Sequence, residues 1–157
     1  MAKFNFIIKE AKLKVSLNSL IKQLATLNHF KNVIQVFDPD CIVNQSHLLG
    51  AYMDAELAFK SGSNISKTAA TEMLLFLAMT NQIDAAIKKA GAKPGKSIIV
   101  FANSFAAYKK IKPVLWDEKD FDSSKSEMLS KARKLGIKIS GDLDASIFEE
   151  MAASKLE

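Results

Sequence analysis

The sequence predicts an α/β protein of the α+β kind: a small, mostly antiparallel central sheet flanked by several helices, with residues 1–157 as one domain. Three observations predict it. Two short runs, NVIQVF (32–37) and SIIVFA (97–102), are β-branched or aromatic and end in turn chemistry. The segments between and after them carry apolar residues at helical spacing. The chain has 157 residues, 48% of them hydrophobic and 25% charged. That is an ordinary globular mixture, long enough to bury one core.

Each element has its own reason. Asn5 to Lys9 alternates loosely and is rich in Phe and Ile, so it reads as a strand. Ser16 to Leu27 places Leu17, Leu20, Ile21 and Leu24 on one helical face, with Ser16 as N-cap. Asn32 to Phe37 is the second strand, stopped by Asp38-Pro39. Gln45-Ser46 opens a helix through Lys60, followed by the turn Ser61 to Asn64. Ser66 to Met79 is helical, and Ile83 to Ala90 restarts after Thr80-Asn81. Gly91 ends that helix and Lys93-Pro94-Gly95 turns the chain into the strand Ser97 to Ala102. Asn103-Ser104 caps a short helix ending before Pro113. Trp116 to Ser124 reads as an acidic loop. Ser126 to Leu135 and Asp142 to Ser154 are two final helices, divided by Gly136 to Gly141.

Composition narrows the function. No apolar run approaches the ~20 residues of a membrane span. The N-terminus MAKFNFIIKEAKLK is charged early and lacks a small-residue cleavage site, so a cytoplasmic protein is expected. The single cysteine, Cys41, permits no internal disulfide. With only His29 and His47 it makes no zinc cluster either. The net charge of +5 is compatible with a nucleic-acid partner without requiring one.

No catalytic constellation is legible, and no cofactor or metal is expected. Gly91-Ala-Lys-Pro-Gly95-Lys96-Ser97 resembles a phosphate loop, but it has three residues between its glycines instead of four. It also runs from helix to strand, the wrong direction. Asp117, Glu118, Asp120 and Asp122 lack the glycine and distal glutamate of a calcium loop. His47 has no nucleophile or acid partner in a motif; a core or capping role suffices for it.

The segment MLLFLAM (73–79) raises a different question. At about 100° per residue, Ala70, Leu74 and Leu77 share one face. Ile65, Ala69, Glu72, Phe76, Met79 and Ile83 fall on the opposite one. Either neighbouring helices cover that second face, or it meets a partner. Glu72 among Phe76 and Met79 favours the partner, because an unpaired buried carboxylate is costly.

At this point the chain resembles a family. Gln35-Val36-Phe37, then Gln45-Ser46-His47-Leu48-Leu49 and Ala58-Phe59, resembles the TPRKB-type small subunits of the KEOPS complex, archaeal type. So does Ser66 through Gly95, with Glu72-Met73-Leu74, Gln82-Ile83, Ala86, Gly91 and Lys93 in order. The likeness is good over residues 33–112, and the last helix is compatible with it. The family usually shows Ser-Gly-x-Arg before Gln-Ile; here the residues are Ala78-Met79-Thr80-Asn81.

The resemblance implies a non-catalytic subunit that binds the kinase-like ATPase of KEOPS and meets the other subunits indirectly. It also implies a hold on tRNA, chiefly its 3′ CCA end, while another subunit makes threonylcarbamoyladenosine. On that reading Phe76, Met79, Ile83 and Ile87 meet the kinase-like partner. Lys67, Lys88, Lys89, Lys93 and Lys96 meet tRNA phosphates, and the amides of Asn81, Gln82 and Asn103 read bases. The alternatives are a module that regulates a kinase-like partner without touching RNA, or a small enzyme with an unrecognised site.

Overall fold

The strand most plainly written in the sequence is the one the sheet is built around. In the computed structural model, Ile98 to Ala102 is buried on both faces. The structure describes residues 5–29 and 31–154; the first four residues of the N-terminal stretch weighed as a leader lie outside them. Among the described residues the elements run β1 (Ile7–Leu13), α1 (Leu17–Leu27), β2 (Ile34–Phe37), α2 (Gln45–Ser61), α3 (Ala69–Ala78) and α4 (Ile83–Ala90). They continue with β3 (Ile98–Ala102), α5 (Phe105–Lys109), β4 (Leu115–Asp120), α6 (Lys125–Lys134) and α7 (Leu143–Ala153). The class is α+β. The four strands lie in the order β2-β3-β1-β4, and every neighbouring pair is antiparallel.

The chain divides into two compact units, residues 1–39 with 92–121, and residues 40–91 with 122–157. The first unit holds the sheet. Register places Ala11 opposite Ile98, Val36 opposite Val100, and both Ile7 and Ile34 opposite Ala102. Those residues share one face, because strand side chains alternate. Leu20 and Leu24 of α1 and Ala107 and Tyr108 of α5 complete the core on it. Ser16 caps α1 by accepting from the Ser19 N–H, and Ser104 caps α5 through the Ala107 N–H.

The segment expected as an acidic loop is instead the edge strand β4. Its charges answer those of β1. Lys9 pairs with Asp120, Lys119 with Glu10 at 3.3 Å, and Lys12 with Asp117 at 3.4 Å. No apolar alternation announces such a strand, since cross-strand charge pairs stand where apolar pairs would. Charges on an edge also discourage pairing with a further strand. Asp117 has φ +52°, and the register slips between Glu10 and Lys12, so the strand carries a bulge there. Strand β1 also runs four residues beyond the expected Lys9, because its polar residues Lys9, Glu10 and Lys12 pair with β4.

The second unit is helical, and α3 packs against α2, α4 and α7. That arrangement accounts for the apolar run. Met73, Leu75, Leu77 and Ala78 are fully buried, and Leu74 and Phe76, on opposing faces, are largely buried. A helix apolar all round is an interior helix. Glu72 is fully buried as well, yet it has partners. Its carboxylate accepts from the Ile65 N–H at 2.8 Å and the Ser66 N–H at 3.3 Å, pinning the turn that enters α3. Replacing Glu72 with alanine should therefore destabilise the protein by about 2 kcal/mol, the typical result of stranding buried donors. Urea unfolding tests this; a change below about 0.5 kcal/mol, the range of neutral surface substitutions, would contradict it.

Gly91 closes α4 for a reason of space. A Cβ there would stand 2.5 Å from the Ile87 carbonyl oxygen. Its own N–H donates to that oxygen at 3.0 Å, so the approach that caps the helix leaves no room for a side chain.

Candidate functional site

The residues expected to meet a protein partner separate in the structure. Phe76 is buried, so the free second face expected for its helix does not exist. The reason is that neighbouring helices already cover it. Met79 is half-buried and ends α3 in the left-handed conformation, with φ +58°. Ile83 and Ile87 do stand in water, 37% and 52% exposed. They are four residues apart on α4, hence neighbours on one helical face. The buried face of α4 is Ala86 and Ala90. The helix is thus held by small residues on one side and presents branched apolar ones on another.

The lysines expected to meet RNA lie in both units. In the second unit, Lys67 is exposed before α3, and Lys88 and Lys89 are exposed in the last turn of α4. Cations there complement the helix dipole, which gives them a structural role too. The Lys89 carbonyl accepts from the Cys41 thiol at 2.8 Å, so the half-buried cysteine helps fix this turn. Asn81 and Gln82 lie between α3 and α4, and the Gln82 amide donates to Asn81 Oδ1 at 3.1 Å. In the first unit, Lys93 is half-buried and Lys96 binds the buried Asp38 carboxylate at 3.0 Å.

Asn103, expected to read a base, is a structural residue. Its Oδ1 accepts from the Val33 N–H at 3.0 Å and its Nδ2 donates to the Lys31 carbonyl at 2.6 Å. Both ends of the amide are spent on the loop before β2. Sequence reasoning also passes over a cavity in the first unit, of about 440 Å³. Lys12, Lys93, Lys96 and Trp116 line it, with Leu13 and Val15. The only tryptophan of the chain is the available signal, obscured by the acidic residues around it.

Among the described residues no catalytic geometry stands out. His47 is buried, its Nδ1 accepting from the Val43 N–H at 3.2 Å. That leaves the proton on Nε2, which donates to the Leu77 carbonyl at 3.2 Å. Burial lowers its pKa to about 4, the Leu77 bond opposing in part. The ring is therefore a neutral link between the start of α2 and the end of α3. Among the described residues, no group of three or more His, Cys, Asp or Glu is placed to hold a metal ion. No described helix is long and apolar enough to cross a membrane.

Comparison with known proteins gives the chain a relation. No curated protein matches it significantly. A family model described as kinase binding protein CGI-121 matches residues 11–153, nearly the whole length. The matched span takes in both units, including α4 with its two exposed isoleucines. The chain belongs to the CGI-121 family of kinase-binding proteins.

Proposed function

We propose that this protein is a non-catalytic, cytoplasmic subunit that binds a kinase-like ATPase through α4 and helps that partner hold tRNA for threonylcarbamoyladenosine modification. The observation that carries the reading is the pair Ile83 and Ile87, exposed on a helix of a chain from a kinase-binding family. Branched apolar residues left in water on a short helix suit the centre of a protein interface. The resemblance to the KEOPS small subunits supplies the complex and the RNA. The exposed lysines supply the chemistry by which RNA would be met. They are point charges suited to phosphates, and Arg133 is the only arginine in the chain. Met79 sits one turn before α4 and would border the same interface.

The RNA half has its own test. Lys96→Glu is a poor probe, because it would set a second carboxylate against buried Asp38. Lys88→Glu/Lys89→Glu is better, both side chains being exposed. Binding of full-length tRNA should weaken in that variant. The slope of log affinity against log salt should fall by roughly 0.7 to 0.9 for each phosphate that is no longer neutralised. Removing the CCA end should weaken the wild type. If the wild type binds tRNA and neither change matters, the RNA site lies elsewhere. A wild type that binds no tRNA is a kinase-binding module that does not touch RNA.

A further inference from the structure

The edge strand β4 is held by little apolar burial. Leu115 is its only buried residue, and Phe121, just beyond its end, is buried too. Between those two anchors Trp116, Asp117, Lys119 and Asp120 are exposed. The strand packs chiefly on β1 and on the short turn Lys112–Val114. Its outer edge pairs with no further strand of the sheet.

Beyond the backbone ladder, what holds the exposed stretch is charge. Lys9, Glu10 and Lys12 of β1 pair with Asp120, Lys119 and Asp117. These side chains are partly open to water, where an ion pair holds a strand weakly and yields to salt. The ladder is also interrupted, because the register slips between Glu10 and Lys12. One contact is of another kind. The Tyr108 hydroxyl donates to the Glu118 carboxylate, and the Lys112 ammonium lies 3.8 Å from the same group. Tyr108 belongs to the core of the first unit, and Glu118 is the one half-buried residue of the stretch 116–120. That bond ties an otherwise exposed stretch to the interior.

We infer that β4 is a latched flap: residues 116–120 leave β1 together, between the fixed points Leu115 and Phe121, when the Tyr108–Glu118 bond lets go. A hydrogen bond to an ionised acceptor is stronger than a neutral one or an exposed ion pair, so this bond decides whether the stretch is closed. Strand β3 is buried on both faces and leaves its neighbours only when the first unit unfolds. The two strands therefore differ in the free energy of opening. Trp116 lines the cavity of the first unit. It moves with the flap, so one wall of that cavity opens and closes. Neither the ATPase nor RNA is needed for this motion.

Amide hydrogen exchange on the full chain, read residue by residue by NMR, tests it. The β4 amides bonded to β1 are compared with those of β3 at low salt and in about 1 M sodium chloride, where the screening length falls to about 3 Å. At low salt the β4 amides should exchange roughly a hundredfold faster than those of β3, after correction for intrinsic rates. High salt should speed them by roughly tenfold more, as three exposed pairs are screened. Tyr108→Phe keeps the buried ring and removes the latch. It should speed β4 exchange by roughly tenfold to a hundredfold, the span of one hydrogen bond to a charged group. Glu118→Gln, which keeps an acceptor on the strand, should act in the same direction and less. If β4 exchanges at the pace of β3 in both salts, the strand opens only by unfolding and there is no flap. If β4 is fast but indifferent to Tyr108→Phe, it frays without a latch, and the inference fails as well.

Discussion

Replacing Ile87 with glutamate should lower affinity for the proposed kinase-like ATPase by about 100-fold or more and leave the protein folded. The asymmetry follows from where the side chain is. In the free protein, 52% of Ile87 is exposed, so the new carboxylate stays in water. In the complex it would be desolvated against apolar surface without a partner. That is a loss of several kcal/mol, and almost all of it falls on binding. Ile83→Glu should act in the same direction, and more weakly, because Ile83 opens α4 and a carboxylate is welcome at a helix N-terminus. Calorimetric titration with the ATPase measures the affinity, and thermal unfolding measures the fold. A folded Ile87→Glu protein that binds normally would remove α4 from the interface.

Between neutral pH and pH 4 the protein should lose about 3 kcal/mol of stability through His47 alone. The sign follows from the two states. The ordinary histidine pKa is 6.5, and burial brings His47 down to about 4. Below 6.5 the unfolded chain takes up a proton that the folded chain refuses. Stability is therefore fully present above about pH 6.5, and is lost progressively down to about pH 4. Asp54 works against this at the acid end. Burial raises its pKa, so protonation relieves a desolvated charge in the folded state. Urea unfolding at intervals from pH 7 to 4 gives the slope. The control is His47→Gln, which should be less stable at pH 7 because the link from Val43 to Leu77 is disturbed, but should lose the slope between pH 6.5 and 5. A wild-type slope that survives in His47→Gln would assign the effect to other groups.

The helices are legible in the sequence because their ends carry side-chain chemistry. Ser16, Ser104 and Asp142 each accept from a backbone N–H three residues on, and each opens a helix close to its expected start. Strand β3 is legible because a strand buried on both faces needs an unbroken apolar run. Strand β4 is hidden, because Lys119 and Asp120 find their partners on β1, more than 100 residues earlier. Such pairs leave no local period to read.

The candidate surfaces are legible in the same uneven way. An apolar circumference marks burial, but one helix read alone does not say what lies around it. Hence periodicity puts Phe76 on a partner face, whereas α2, α4 and α7 enclose its helix. Glu72 misleads for the same reason, since the partners of its carboxylate are the backbone N–H groups of Ile65 and Ser66, which sequence does not display. Ile83 and Ile87 remain on the surface because α4 is narrow-faced: two alanines meet its neighbours, and the isoleucines have nowhere to go but outward.

The central claim is that one small chain joins a kinase-like ATPase to tRNA, and a three-component binding measurement tests it most directly. Affinity of the purified ATPase for full-length tRNA is determined alone, with the wild-type chain, and with Ile87→Glu. The wild type should strengthen tRNA binding by the ATPase at least tenfold and run with it as one complex. Ile87→Glu should bind tRNA as the wild type does, yet give the ATPase no gain. If the ATPase binds tRNA equally well in all three cases while the wild-type chain is bound to it, the chain does not join the two.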